Sequence, residues 1–400
     1  MADNEKTIQC GVAIIGAGQA GVECAFTLRK LGYEGHIVIL SNEHVPPYQR
    51  PPLSKTILNE GADEERVHIK AQELYEKERI ELVLGKEAIS LDAQNKTIVT
   101  NCGGRVQFDK CVIATGVRSR ELPGIKGALS IRTLRDARNL GAALKNGRHL
   151  LVLGGGYLGL EVASLAMSLG LSVTVVELAS GLMHGRVSNY TAQRFKEMYE
   201  QAGAQIYCGR QLLSVERTEQ GGWQAVVDGG LSIKADVFLA AIGAEPNVEF
   251  VTKSGIKTNG GIVVDAHCRT SVDNVYAVGD CTVGYYPELT SYIGVESVQN
   301  AIEQARIAAA SIANAHVPHQ KTFTFWSEQL GHRLQVAGFV NAQTQYEDIP
   351  TDTNRGWVVK RYFNGELKAI EAIDSPVEFI KAAKEITQLK RASDHSFFYG

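Results

Sequence analysis

The chain has 400 residues, 44% of them hydrophobic, with 41 Lys and Arg against 44 Asp and Glu. That length predicts two or three domains with sizeable cores, and a net charge of −3 gives no bulk electrostatic case for nucleic acid. No run of about 20 uncharged apolar residues predicts a membrane span, the start of the chain carries no signal-peptide pattern, and seven scattered cysteines without metal-ligand spacing suit buried thiols in a reducing cytoplasm.

An apolar run at 12–15 predicts a buried strand, and Gly16, Gly18 and Gly21 follow it as G-x-G-x-x-G, with a helix pattern starting at Val22. In such a unit the first glycine allows the tight turn, the second lets the backbone approach a pyrophosphate, and the third lets helix pack on strand. The helix N-terminus supplies free N–H groups and the positive end of its dipole. A plain glycine turn fits the same three residues, but the strand–turn–helix context favours the dinucleotide reading. Residues 36–40 predict a second strand. Its end should carry an acid for a ribose hydroxyl; Ser41, Asn42 and Glu43 hold that place, with Asn42 able to bond a ribose and Glu43 one step late.

Residues 48–55 read as a proline-stiffened loop carrying Arg50 and Lys55. By pattern alone an exposed turn with solvated cations is the simpler reading. The sharper one has Arg50 on phosphates and Lys55 over a cofactor ring. Residues 97–99 and 107–113 predict strands, the second ending in Ala114-Thr115-Gly116, small residues that let backbone approach a ligand. Thr133 predicts a helix N-cap.

From His149 the opening unit repeats. An apolar strand leads into Gly154, Gly156 and Gly159 at the same spacing, and Glu161 stands two residues past the last glycine, as Glu23 does in the first copy. The next strand, 172–176, ends in Glu177, where a ribose-binding acid belongs. A repeat of the unit is a stronger signal than either copy, and two nucleotides on one chain suggest electron transfer between them. Glu161 is the only charge in the helix pattern of 157–169, and a buried carboxylate is costly unless paired. A functional acid and a solvent-side or locally capping glutamate both fit the residues. Residues 235–242 and 275–281 predict further strands, the latter running through Asp280, and 296–310 predict an alanine-rich helix. Beyond about 323 the texture alternates as strands do. Strands at 355–363 and 367–373 and a helix at 377–389 predict a third, α+β domain.

The ordered set of these features resembles the ferredoxin reductases of bacterial oxygenase systems, among them putidaredoxin reductase, rubredoxin reductase and the reductases of ring-hydroxylating dioxygenases such as biphenyl dioxygenase. The set is the Gly16 fingerprint, Arg50-Pro51-Pro52-Leu53-Ser54-Lys55, Ala114-Thr115-Gly116, Arg132-Thr133-Leu134, the Gly154 fingerprint and Ala277-Val278-Gly279-Asp280. It continues through Glu296-Ser297-Val298, Phe325-Trp326-Ser327 and Pro376-Val377-Glu378-Phe379 along nearly the whole chain.

The resemblance implies an α/β, glutathione-reductase-like fold with two Rossmann-type nucleotide-binding domains and a C-terminal α+β domain. The boundaries it implies are an FAD domain at 1–117 and 246–320, an NAD domain at 118–245 and a C-terminal domain at 321–400. It implies a cytoplasmic flavoprotein passing electrons from NADH through FAD, one at a time, to a [2Fe-2S] ferredoxin that feeds a Rieske dioxygenase or cytochrome P450, as in aromatic hydrocarbon catabolism. No nucleic acid or membrane partner is implied, and the protein would be a monomer or weak homodimer. A rubredoxin reductase and a slow, redox-sensing flavoprotein like apoptosis-inducing factor are the alternatives.

Residue by residue, the resemblance implies that Gly16, Gly18, Ala20 and Gly21 hold the FAD pyrophosphate and that Asn42 and Glu43 face its adenine ribose. Arg50, Lys55, Ala88, Ala114, Thr115, Gly116, Arg132 and Asp280 are further FAD contacts, and Val298 and Trp326 lie near the isoalloxazine. Gly154, Gly156, Tyr157, Leu158, Gly159, Glu177 and Gly243 serve NADH. Lys55, paired with Glu161, sits near flavin N5 and assists hydride transfer. The chain departs from the family pattern at Asn42, Tyr292, Gly294 and Asp374-Ser375, mostly near the implied partner face. No cysteine stands in the 50–55 loop, as a disulfide reductase of this fold would need.

Overall fold

The computed structural model describes residues 7–58, 63–286, 291–318, 322–338 and 345–396. They fall into two compact units, one of Met1–Gln49, Glu64–Arg118 and Glu245–Lys321, the other of Arg50–Asp63, Ser119–Ala244 and Thr322–Gly400.

The first unit is built on a seven-stranded sheet. Strand Ile8–Ile15 lies parallel between Ile37–Leu40 and Arg105–Ile113, with Ile80–Val83 beyond Ile37–Leu40. Arg105–Ile113 has two further neighbours: its first half pairs antiparallel with Thr97–Thr100, its last three residues parallel with Val275–Ala277. Side chains alternate across a strand, and the opening strand shows why both faces are covered. Val12 and Ile14 join a core with helices Gln19–Lys30 and Val298–Ile312, while Ala13 and Ile15 join a second core with Val251, Ile262 and Val275. The run is apolar at every position because it is buried on both sides.

The second unit repeats the arrangement. Gln205–Cys208, Ser172–Glu177, His149–Leu153 and Val237–Ala240 form a parallel sheet in that order, matching the Ile80, Ile37, Ile8 and Arg105 strands of the first. This is the 3-2-1-4 order of a mononucleotide-binding half. Leu151 and Leu153 pack on an antiparallel three-stranded sheet through Trp223, Ala225 and Ile233. The C-terminal part is a five-stranded antiparallel sheet with helix Pro376–Ser396 packed on it through Ala382 and Ile386.

Three expectations needed adjusting. The strand at 235–242 breaks at Asp236, whose carboxylate accepts from the N–H groups of Arg148 (2.7 Å) and His149 (3.0 Å); an antiparallel strand ends at Ala235 and a parallel one begins at Val237. The strand at 275–281 ends at Ala277 because Gly279 turns the chain at φ +79° into a single 3-10 turn. The alanine-rich helix starts at Val298, capped by the Ser297 hydroxyl, which accepts from Asn300 N at 3.1 Å. Thr133 caps its helix as expected, in a capping box with Asp136.

Candidate functional site

In the first unit, Gly16 leaves the strand at φ +113°, and a Cβ there would stand 2.2 Å from the carbonyl oxygen of Ala114. Ala114 N donates to Ile15 O (2.8 Å) and Gly16 N to Leu40 O (2.8 Å), so the turn is clamped between both parallel neighbours. A Cβ on Gly21 would meet Gly16 O at 2.0 Å. At Gly18 the situation reverses. Nothing lies within 4 Å of the place a Cβ would take, and no side chain caps the helix that begins at Gln19. A helix start has N–H groups without intrahelical partners, and here no side chain caps them and the space beside Gly18 is open.

The second unit repeats this atom for atom. Gly154 has φ +105° and a Cβ there would stand 2.3 Å from Ala241 O, and one on Gly159 would stand 2.5 Å from Gly154 O. Gly156 has open space and no side-chain cap above helix Tyr157–Ser168. Each cradle suits a dinucleotide pyrophosphate, which needs close backbone approach and N–H donors at the C-terminal edge of a parallel sheet.

The other expected residues of the first unit surround its turn. Glu43 follows strand Ile37–Leu40, and its carboxylate accepts from Tyr48 Oη at 2.6 Å; Asn42 beside it is exposed. Ala88 opens a strand whose approach is tied to that loop by Gly85 N on Glu43 O (3.0 Å) and Lys86 N on Ser41 O (2.8 Å). Thr115 and Gly116 are held by Asn247. Thr115 Oγ1 donates to Asn247 O (2.7 Å), and Asn247 N donates to Gly116 O (3.0 Å). Asp280 follows Gly279, where a Cβ would come within 3.1 Å of Ala20 Cβ on the first turn of Gln19–Lys30. Val298, partly covered, opens the helix that joins the same apolar cluster as Ala20 through Ala301.

In the second unit, Glu177 ends its strand as expected, and its carboxylate bonds its own loop: it accepts from Gly155 N (2.5 Å) and Ala179 N (2.7 Å). The acid is thereby fixed beside the Gly154 turn. Leu158 is exposed, Tyr157 stacks on Phe325 at 4.3 Å, and Gly243 has φ +100°. The Arg50 guanidinium donates to Arg132 O, bringing two of the expected residues together. Trp326 lies in strand Thr324–Gln329, partly covered.

The 50–55 loop is no solvated turn. Pro51–Ser54 forms a 3-10 turn with Leu53 and Ser54 buried, and Lys55 Nζ stands 2.9 Å from Glu161 Oε2. Glu161 is 7% exposed, so its place in an apolar helix means burial with a partner. Its other partners carried no assigned role in the sequence: Ser54 Oγ (2.5 Å), Ser327 Oγ (2.7 Å) and Glu328 N (3.4 Å) also donate to it. Their only sequence signal was adjacency, Ser54 to Lys55 and Ser327 to Trp326.

None of the seven cysteines is in a disulfide, and among the described residues no His, Cys, Asp and Glu cluster could hold a metal. Among them, too, no helix is long and apolar enough to cross a membrane.

Residues 11–305 match the family described as pyridine nucleotide-disulphide oxidoreductase, and residues 324–398 match the reductase C-terminal family. A rubredoxin-NAD(+) reductase of Pseudomonas putida is 34% identical over 372 residues, covering 91% of this chain and 96% of its own. The benzene 1,2-dioxygenase system ferredoxin–NAD(+) reductase subunit of the same species is 33% identical, covering 93% and 91%. Among solved structures, the covalent putidaredoxin reductase–putidaredoxin complex superposes with a TM-score of 0.90 at 30% identity, covering 95% of this chain and 93% of that one.

Proposed function

We propose a function from one premise: the chain belongs to the pyridine nucleotide-disulphide oxidoreductase family. It is an FAD-dependent NADH:ferredoxin oxidoreductase of the kind that serves oxygenases, and FAD and NAD(H) are its cofactors. The observation that carries this is the duplicated cradle, two open, uncapped helix starts behind clamped glycine turns, in a chain with no cysteine in the 50–55 loop. Two nucleotides and no thiol relay leave the flavin as the exchange point. The electron carrier is a small redox protein, proposed here to be an acidic [2Fe-2S] ferredoxin, with a rubredoxin as the alternative. The protein is proposed to act in the cytoplasm as a monomer or weak homodimer, with FAD held by 1–117 and 246–320, NADH by 118–245, and 321–400 forming the C-terminal domain.

FAD, when bound, would take one hydride, that is two electrons, from NADH and release them singly. The residues of this chain position and charge the site for that exchange. The N–H groups behind Gly18 and Gly156 take the two pyrophosphates, while Gly16 and Gly154 give the turns their shape. Asn42, Glu43, Ala88, Ala114, Thr115, Gly116, Arg50, Arg132 and Asp280 line the remainder of the FAD, and Val298 and Trp326 flank its ring. Lys55 presents a fixed cation to the ring, where negative charge develops on reduction. Glu161 holds that cation in place.

Glu177 selects the nucleotide. Its carboxylate, already fixed by two backbone donors, keeps lone pairs for ribose hydroxyls and repels a 2′-phosphate. NADH is expected to exceed NADPH in kcat/KM by at least about tenfold, roughly 1.4 kcal/mol. Stopped-flow reduction of the flavin by each nucleotide checks this, and equal efficiency would overturn the role of Glu177. The same traces separate a reductase from a slow redox sensor. Assays with a [2Fe-2S] ferredoxin and with a rubredoxin separate the two carriers.

A further inference from the structure

Glu161 has more donors than an ion pair requires. Oε2 accepts from Ser54 Oγ at 2.5 Å and from Lys55 Nζ at 2.9 Å, and Oε1 accepts from Ser327 Oγ at 2.7 Å. The set extends one layer further. Gln329 Nε2 donates to Ser327 Oγ (3.0 Å), leaving the Ser327 proton for Glu161, and the single Tyr199 phenol proton is shared between Leu160 O (2.7 Å) and Gln329 Oε1 (3.2 Å). Burial, and then the charge of Glu161, push the Tyr199 phenol well up, so it stays a donor. Ser54, Ser327, Gln329 and Tyr199 are all at most 1% exposed.

A lysine alone would leave the carboxylate free to turn about its last torsion, which is broad and soft. The ammonium, on a flexible four-carbon stem, would follow it. Two buried hydroxyls, one on each carboxylate oxygen and from segments far apart in sequence, remove that freedom. We infer that Ser54 and Ser327 are positioning residues that lock the Glu161 carboxylate and through it the place of the Lys55 ammonium. This rests on the reading above that Lys55 faces the flavin. The rival account is that the hydroxyls merely satisfy a buried acid and join two chain segments.

The test uses the FAD-loaded full chain as Ser54→Ala, Ser327→Ala, Ser327→Thr and Lys55→Met. Two quantities are read: the ¹⁵N signal of the Lys55 ammonium in lysine-labelled protein, identified by its loss in Lys55→Met, and the FAD midpoint potential by dye equilibration. Each alanine variant is expected to shift or broaden the Lys55 signal and to lower the potential in the direction of Lys55→Met. Each should slow reduction by NADH about tenfold, the scale of one hydrogen bond to a charged group, with the Kd for NADH unchanged. Ser327→Thr, which keeps the hydroxyl, should restore both readouts, and alanine added to Lys55→Met should lower the potential no further. An unmoved Lys55 signal in the alanine variants overturns the inference, as does a wild-type potential in them while Lys55→Met shifts it. If Lys55→Met itself leaves the potential unchanged, the placement of Lys55 at the flavin fails instead, and the Lys55 signal alone still decides the positioning role. The two alanines lie on separate segments, so one that fails to fold leaves the other to decide.

Discussion

At the scale of single residues, the cysteines bear most directly on the chemistry. The thiolate is the reactive form, and burial drives these thiols away from it. It pushes Cys24 up to about 12 and Cys281 up to about 11, and it raises Cys111 and Cys268 as well. None of these four is poised to relay electrons at neutral pH. Replacing Cys24, Cys111 or Cys281 by serine buries a hydroxyl in an apolar core, costing about 1–3 kcal/mol. Thermal melts should register that loss. Stopped-flow reduction of the flavin by NADH should keep its rate in each folded, FAD-loaded variant; its abolition would revive a disulfide-type mechanism.

At the scale of elements, the two glycines of each turn separate folding from binding. Gly16 needs its positive φ and has Ala114 O 2.2 Å from the place of a Cβ, so Gly16→Ala strains the backbone and should impair folding itself. Gly18 has an extended backbone, φ −79° and ψ −172°, and open space, so Gly18→Ala should fold with its Tm within a few degrees of the parent. With the pyrophosphate placed as proposed above, its methyl group would obstruct the approach, so FAD retention in gel filtration should fall. Gly156→Ala is expected to raise the KM for NADH for the same reason. A Gly18→Ala variant that binds FAD normally would mean the turn is only a turn.

Another element-scale junction ties the C-terminal sheet to helix Asn189–Gln201. Glu371, fully buried, accepts from Ser188 N (2.6 Å) and Ser188 Oγ (2.7 Å) and faces Arg361 (3.4 Å), which also holds Asp348 (2.7 Å). Burial raises the Glu371 carboxyl above its usual range, against the pull of Thr191, Ser188 and Arg361. A raised acid keeps its proton longer in the folded state, so its contribution is complete below the ordinary carboxylate range and is lost as pH rises through the raised value. The Tm of the parent relative to Glu371→Gln should therefore fall as pH rises from the ordinary carboxylate range towards neutrality. A difference independent of pH would contradict this.

For the whole molecule, charge decides how a carrier docks. A chain of net charge −3 attracts an acidic ferredoxin only through a local basic patch. Arg306 and Arg333, one in each unit, are separate candidates for it, and their surroundings differ. Arg306 Nε lies 2.7 Å from Glu23 Oε1 and is partly neutralised, while the Arg333 side chain is exposed. Raising ionic strength should lower the rate of ferredoxin reduction, because screening shortens to about 8 Å at physiological salt. Ferricyanide turnover should barely change. Arg333→Glu should raise the KM for ferredoxin more than Arg306→Glu, with the KM for NADH unaltered in both. Salt-indifferent ferredoxin reduction would remove the patch from the account.

The sequence by itself determined the parts ruled by short-range geometry. The spacing of Gly16, Gly18 and Gly21, and its return at Gly154, Gly156 and Gly159, follows from what a strand-to-helix turn demands of the backbone, and Thr133 could be read as a cap for the same reason. The apolar run at 12–15 announced a buried strand, and the structure shows it covered on both faces. Only the tertiary structure decided what surrounds the two charges of the Lys55–Glu161 pair. Lys55 in its loop and Glu161 on its helix each had a bland reading, because burial and hydrogen-bond satisfaction depend on segments far away in the chain. Ser327 could gain its meaning only when the strand carrying it was laid against helix Tyr157–Ser168, and the break at Asp236 only when that carboxylate met the N–H groups of Arg148 and His149. A buried carboxylate must find its donors wherever the fold puts them, and no local pattern records where that will be.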